Sequence, residues 1–217
     1  MNNDTHLTDY YAERATEYDA IYRKPERQED IKLLSKLLSN LLQRRHVLEV
    51  ACGTGFWTQY LATQSKTITA TDYNEAVLAI ARDRLANRNN VRVEQADAFA
   101  LDNVTGDFNA GLAAFWWSHL TKTQTDLFLK TFHAKLLPGS LVVITDSRYV
   151  EGSNTPISCT DSEGNTYQKR VLSDGREFKV LKNFTTQAEF FEQVASYGRN
   201  IQFKTLTYFW CGWYEIQ

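Results

Sequence analysis

His46-Val47-Leu48-Glu49-Val50-Ala51-Cys52-Gly53-Thr54-Gly55-Phe56-Trp57-Thr58 decides how the rest of the chain is read. A short apolar run ends in an acid, a glycine-bearing turn follows, and a helix is expected to open on its far side. Glycine reaches positive φ without steric cost, so such a turn lets the backbone come close to a ligand. A second run, Thr67-Ile68-Thr69-Ala70-Thr71, ends at Asp72. An acid at the tip of the next strand is placed to accept from a pair of ribose hydroxyls. Together these features describe a nucleoside-binding crevice at the carboxyl edge of a parallel sheet.

Two kinds of cofactor compete for such a crevice. A dinucleotide site favours G-x-G-x-x-G, with the helix N-terminus facing a pyrophosphate. Here the register is Glu49-x-Ala51-x-Gly53-x-Gly55, and the third dinucleotide glycine is replaced by Thr58. The pattern resembles motif I of the class I S-adenosylmethionine (SAM) methyltransferases, E/D-x-G-x-G-x-G, with Ala51 in place of the first glycine.

Length and charge fit one enzyme domain. A chain of 217 residues is long enough to bury a sizeable core as a single α/β unit. A net charge of −2 gives no electrostatic footprint for nucleic acid or an anionic membrane. The three cysteines, 52, 159 and 211, are too far apart for a metal pattern or a disulfide framework. The N-terminus lacks a signal-peptide core, and no apolar run is long enough to span a bilayer. A cytoplasmic protein, monomer or homodimer, is expected.

Periodicity divides the chain into alternating strands and helices. A tyrosine-dense helix is expected over 8–22, and a second helix from Pro25 with Ile31, Leu34, Leu38 and Leu41 at helical spacing. Strands are expected at 46–51, 67–72, 91–96, within 107–115 and at 141–145, with helices at 56–64, 74–87 and 122–137. The last of these helices should stop at Pro138-Gly139. This rhythm implies a doubly wound, Rossmann-like α/β sheet. Residues 148–165 read as a loop. Two strands, 166–172 and 176–184, flank Asp174-Gly175, a strong hairpin signal. Thr186-Gln187-Ala188-Glu189 is a capping box opening a helix that Gly198 ends. The final strands should fill 200–216, with a turn near Cys211-Gly212.

The order of elements resembles the seven-stranded class I methyltransferase fold, strand order 3-2-1-4-5-7-6, with an N-terminal helical lid over 1–44. The hairpin is then an insertion after strand five, within 148–184, over the acceptor site. Four segments resemble a group of small-molecule methyltransferases that includes the phosphonate O-methyltransferase of dehydrophos biosynthesis. They are Tyr10-Tyr11-x-x-Arg14-Ala15-x-x-Tyr18-Asp19, Gly53-Thr54-Gly55-Phe56-Trp57-Thr58, Ser118-His119, and Arg170-Val171-Leu172-Ser173-Asp174-Gly175-Arg176-x-Phe178-x-Val180-x-Lys182. The similarity spans nearly the whole chain, 1–217.

The resemblance implies a cofactor site residue by residue. Glu49 should accept from the ammonium of SAM, with the turn at Ala51, Gly53, Gly55 and Trp57 against the methionyl moiety. Asp72 should hold the ribose, Tyr73 should cover the adenine, and Asp97 with Ala98 and Phe99 should meet its amino group. Ala114 should border the sulfonium, and S-adenosylhomocysteine (SAH) is the expected product. Plainer readings exist: Asp72 as a helix cap before Asn74, and Asp97 as a loop carboxylate. On the N-terminal helix, Tyr11, Arg14 and Tyr18 share one face, and Arg14 can grip the SAM carboxylate with a planar fork.

Methyl transfer is an in-line attack on a sulfonium methyl, so the protein chiefly supplies alignment and a dry cavity. A phosphonate or carboxylate oxygen is already anionic and needs cations rather than a base. Alternation places Arg176, Phe178, Val180, Lys182 and Phe184 on one face of the hairpin, and Arg170 on the opposing strand can join them. These cations either bind an anionic acceptor or snorkel to solvent. His119 has a pKa suited to base work, or is a helix-cap histidine. Trp116 and Trp117 are candidates to line the acceptor pocket, and Tyr22 to reach it as a second base. No metal-ligand cluster is present, and no Asn/Asp-Pro-Pro-Tyr/Phe motif marks a nucleic-acid methyltransferase. The expected function is SAM-dependent methylation of a small anionic metabolite. The alternatives are a small-molecule N-methyltransferase or quinone-type C- or O-methyltransferase using His119 or Tyr22, and a non-catalytic SAM-binding module.

Overall fold

Strands rich in Val, Leu, Ile and Ala occupy the middle of the sheet because helices cover both of its faces. The computed structural model describes residues 15–172 and 175–217, with side chains from residue 19 onward. A 3₁₀ segment, Ala15–Arg23, and a 3₁₀ turn, Pro25–Arg27, lead into helix α1 (Gln28–Leu41). There follow β1 (His46–Val50), α2 (Thr58–Leu61), β2 (Thr67–Asp72), α3 (Glu75–Leu85), β3 (Val91–Gln95) and β4 (Phe108–Ala114). A 3₁₀ turn, Trp117–His119, precedes α4 (Gln124–His133) and β5 (Leu136–Ser147). Next come β6 (Ile157–Thr160), β7 (Thr166–Val171), β8 (Glu177–Leu181), α5 (Gln187–Val194), β9 (Gly198–Thr205) and β10 (Phe209–Ile216).

The main sheet runs β3-β2-β1-β4-β5-β10-β9. Strands β1 to β5 are parallel, and β10 is antiparallel to both β5 and β9. Once the inserted strands β6 to β8 are set aside, this is the path expected from the sequence. Successive residues of a strand point to opposite faces, so Val47 and Leu48 enter different cores. Val47, Ala110 and Val143 pack with Leu34 and Leu38 of α1. Leu48, Val142 and Ile144 pack with Phe128 and Phe132 of α4 and Phe190 of α5.

Several boundaries differ from the sequence reading. The 122–137 helix is shorter at both ends, and Pro138-Gly139 falls inside the span of β5 rather than before it. The 56–64 helix contracts to α2. The expected hairpin is a three-stranded antiparallel sheet, β6-β7-β8, because β6 lies in the presumed loop 148–165. β6 is only four residues long, exposed throughout and set among Gly, Ser, Asn and Thr, so the segment read as loop. Gly198 opens β9, and Cys211-Gly212 sits inside β10; the turn is at 206–208, closed by Leu206 N–H donating to Phe209 O at 2.9 Å. Both glycines are there for close approach. A Cβ at Gly212 would run into the Phe190 ring, and one at Gly198 into Tyr214. The expected helix over 8–22 is a 3₁₀ segment in its described part. The turn residues Ser173 and Asp174 lie outside the described residues.

Candidate active site

The chain leaves β1 through three left-handed residues, Ala51 (φ 51°), Gly53 (φ 56°) and Gly55 (φ 72°). For Ala51, which carries a Cβ, that conformation costs about 1 kcal/mol. A Cβ on Gly55 would stand 3.0 Å from Leu85 Cδ1 and 3.4 Å from Ala81 Cβ, so the turn rests directly on α3.

Glu49, one residue before the end of β1, is 1% exposed. Its Oε2 accepts from Thr58 Oγ1 at 2.8 Å, and its Oε1 has no hydrogen-bond partner among the described residues. Burial raises its pKa to about 8. A buried carboxyl with a spare oxygen and no cation beside it among the described residues is set up to receive an ammonium from a ligand. Asp72 ends β2 and is held from two sides. Gly53 N–H donates to its Oδ2 and Asn74 N–H to its Oδ1, both at 2.9 Å. The backbone donors do not exhaust the carboxylate's acceptor sites, which leaves capacity for a hydroxyl. The helix cap is Asn74, whose Oδ1 accepts from Ala76 N–H at 2.9 Å, so Asp72 is not the capping residue. Glu49, Asp72 and the glycine turn thus fit a nucleoside carrying an amino group.

The remaining cofactor-side residues spread outward from this centre. Tyr73 is 58% exposed. Asp97 Oδ1 accepts from Phe99 N–H at 2.8 Å, beside buried Ala98. Ala114 is buried at the end of β4. Trp57 is buried, stacked on Phe115 with ring centroids 5.3 Å apart, and its Nε1 donates to Tyr22 Oη at 3.2 Å. Tyr11 and Arg14, and the side chain of Tyr18, lie outside the described residues.

Beside Phe115, itself left-handed at φ 61°, opens a cavity of about 240 Å³. It is lined by Tyr22, Lys24 and Arg27 from the N-terminal segment, by His119 and Ser147, and by Ser153, Arg170 and Lys182 from the region after β5. Arg27 is buried. Its Nε and Nη2 donate to Ser153 Oγ at 3.2 and 3.0 Å, while Nη1 has no partner among the described residues. Ser147 Oγ is likewise buried and unpartnered. Lys24 Nζ donates to Ser153 O at 2.5 Å, and burial together with nearby Arg27 lowers its pKa. Arg170 Nη2 donates to Gln168 Oε1 at 2.6 Å. Lys182 Nζ pairs with Asp146 Oδ1 and also donates to Ser118 Oγ; burial lowers its pKa, and Asp146 opposes that shift. His119 Nδ1 lies 2.9 Å from Leu181 O, which can only accept. That fixes Nδ1 as the protonated nitrogen and leaves Nε2 as the acceptor in the neutral ring. Burial, then Lys182, pushes its pKa down to about 3.

Three sequence candidates do not reach this cavity. Trp116 packs on Phe99 and Phe128, and Trp117 is buried against Phe128 and Phe190, because both join the apolar layer under α4. Arg176 is exposed, precedes β8 and does not line the cavity. Arg27, Lys24, Ser147 and Ser153 were not found from the sequence. Arg27 did carry a signal: it falls four residues before Ile31, just ahead of α1 and in line with its apolar stripe, where a charge has no ordinary reason to be.

Among the described residues no group of three or more His, Cys, Asp or Glu is arranged to hold a metal ion, and no helix is long and apolar enough to cross a membrane.

Residues 47–139 match the family described as methyltransferase domain. An uncharacterized methyltransferase of Oceanobacillus iheyensis is 24% identical over 92% of this chain and 88% of its own length. Among solved structures, DhpI in complex with SAH is 27% identical with a TM-score of 0.77, over 96% of this chain and 94% of the other. DhpI in complex with SAM and HEP is 26% identical with a TM-score of 0.76, over 94% of both chains. The PH0226 protein of Pyrococcus horikoshii shares the fold at 18% identity, with a TM-score of 0.73 over 90% of this chain and 93% of the other. The motif I turn, the strand order and these likenesses together support a SAM-dependent methyltransferase with the class I fold, whose methyltransferase domain includes residues 47–139.

Proposed function

We propose that this enzyme methylates an oxygen of a small anionic acceptor, a phosphonate or a carboxylate. The observation that carries the reading is the pair of buried, unpartnered groups, Arg27 Nη1 and Ser147 Oγ, on the walls of a cavity also bordered by Lys24, Arg170 and Lys182. A buried guanidinium nitrogen without a partner is costly unless a ligand meets it. Arg27 and Arg170 bind the acceptor's anionic head, with Lys24 adding charge and Ser147 a hydrogen bond. Lys182, already neutralised by Asp146, positions Ser118 beside His119. Glu49 takes the cofactor ammonium, Asp72 its ribose, and the 51–55 turn its methionyl backbone; Asp97, Ala98 and Phe99 border the adenine. When bound, SAM supplies an activated methyl on a sulfonium, and the chain's own contribution is to align the acceptor oxygen and exclude water. The whole of 1–217 acts as one domain in this reading.

A second reading rests on His119. The ring lines the cavity with Nδ1–H given to Leu181 O, and an acceptor bearing N–H or O–H, such as an amine or a quinol, would call on it as base. A pKa near 3 makes this imidazole a weak base, so the anionic acceptor is preferred.

The test is turnover of SAM to SAH with the purified enzyme against a panel of small phosphonates, carboxylates, amines and quinols. Methylation of phosphonates or carboxylates supports the proposal. Turnover confined to amines or quinols replaces it with the second reading.

A further inference from the structure

Three polar groups outside the acceptor cavity meet at Thr54, the residue between the two left-handed glycines. Thr54 is buried, and its hydroxyl donates to Asp19 Oδ1 at 2.7 Å. Arg84 Nη1 donates to the Thr54 carbonyl at 2.8 Å and to its Oγ1 at 2.9 Å. Arg84 Nη2 closes the triangle on Asp19 Oδ2.

The three residues come from three places that matter. Thr54 is the crest of the cofactor turn. Arg84 lies in the last turn of α3, the helix that follows Asp72 and on which Gly55 rests. Asp19 belongs to the 3₁₀ segment Ala15–Arg23. A 3₁₀ helix has three residues per turn, so Tyr22 stands on the same face as Asp19. The Tyr22 ring stacks on Phe56, the residue after Gly55, with centroids 4.0 Å apart and planes 12° apart. Beyond Tyr22 the same segment runs through Lys24 to Arg27, the cationic wall of the acceptor cavity.

An Asp–Arg pair with side chains 14% and 22% exposed contributes little to stability by itself. Its effect lies in what it joins. The backbone carbonyl and hydroxyl of Thr54 are both held, so the turn cannot shift without moving Asp19. Asp19 and Tyr22 together pin the acceptor wall to the turn at two points, Thr54 and Phe56.

We infer that Asp19 and Arg84 are positioning residues that couple the cofactor turn to the acceptor wall, so that filling the turn orders the 19–27 segment. Coupling of this kind is reciprocal: an acceptor that orders the wall tightens the hold on the cofactor. The inference goes beyond the acceptor's identity and depends only on a cofactor at the turn.

Hydrogen exchange read with SAH as the probe tests it. In the wild-type protein, SAH should slow amide exchange across 19–27 by about fivefold or more, within the usual range of coupling strengths. Asp19→Asn and Arg84→Met should each cut that response to less than about twofold while binding SAH within about threefold of wild type, since neither touches the cofactor. Thr54→Val should lose the response, and Thr54→Ser, which restores the hydroxyl, should keep it. The inference is overturned if Asp19→Asn and Arg84→Met respond as the wild type does, or if the wild-type segment does not respond. Calorimetry separates two kinds of failure. Absence of SAH binding to the wild type overturns the cofactor site and this inference together. Binding without slowed exchange overturns the inference alone.

Discussion

Lys182 Nζ lies 3.1 Å from Asp146 Oδ1, and neither side chain has appreciable contact with solvent. Asp146 is further fixed by Ser118 N–H at 2.9 Å and Ser147 N–H at 2.7 Å. One bond thus ties the end of β8 to the end of β5 beneath the acceptor cavity. Removing one member of a buried pair leaves the other charged and unanswered. Asp146→Asn should therefore lower unfolding free energy by about 3 kcal/mol in urea titrations. The double substitution Asp146→Leu with Lys182→Met should recover much of that loss. A double variant no more stable than Asp146→Asn would contradict this account.

With Glu49 in its proposed role, cofactor binding should be proton-linked. In the free enzyme its carboxyl, raised from 4.5 to about 8, stays protonated at neutrality. Between those values the unfolded chain has released the proton and the folded one has kept it, so stability falls as pH rises through the window. An arriving ammonium favours the carboxylate and expels the proton. At pH 7, SAH titrations in two buffers of different ionisation enthalpy should show proton release. The release should disappear well above pH 8 and should be largely absent in Glu49→Gln. Equal release from that variant would place the proton elsewhere.

His119 gives the opposite slope. Its folded pKa of about 3 lies below the ordinary 6.5, so the unfolded chain takes up a proton that the folded one refuses. Stability should drop as pH falls below 6.5, and His133, lowered to about 4 by burial, adds to the effect. His119→Asn should flatten the acid limb of a melting-temperature profile. A limb as steep as that of the wild type would assign it to other groups.

Arg27 separates charge from geometry. Arg27→Lys keeps a cation but loses the fork that spans Ser153 and the cavity. With a turned-over anionic acceptor, its KM should rise about tenfold or more while kcat changes less, as expected for lost ground-state binding. Unchanged KM would remove Arg27 from the acceptor's contacts.

Ala51 carries a backbone strain that glycine would relieve. At φ 51°, Ala51→Gly should be neutral or stabilising by up to about 1 kcal/mol, because relief of the left-handed penalty offsets the added freedom of the unfolded chain. Ala51→Val, β-branched in the same conformation, should destabilise by about 2 kcal/mol or more. Chemical denaturation of both variants measures the difference.

The geometry of the candidate cofactor site was legible because its pieces are local in sequence. A strand, a glycine turn and an acid on the next strand are written within 46–72, and the sheet closes them together. The acceptor half was not, because its walls come from distant segments. Lys24 and Arg27 meet Ser153 across more than a hundred residues, and nothing around Ser153 marks it in advance. Lys182 was expected on the acceptor face by alternation, yet Asp146, a buried acid at the end of an apolar strand, claims its charge. Arg176 shared that alternation but lies before the strand begins, so period-two logic did not apply to it. Gly212 was misread as a turn because a glycine needed for room beside Phe190 looks, in sequence, like one needed for conformation.

Ser153 accepts from Arg27 and donates to Glu26 at 3.0 Å, so the segment before α1 and the inserted region after β5 are keyed to one another. Grafting the insertion of a relative onto this scaffold without its matching 24–27 stretch would strand a guanidinium in the interior. Engineers seeking a new substrate range by loop exchange would have to transplant both pieces as a matched set.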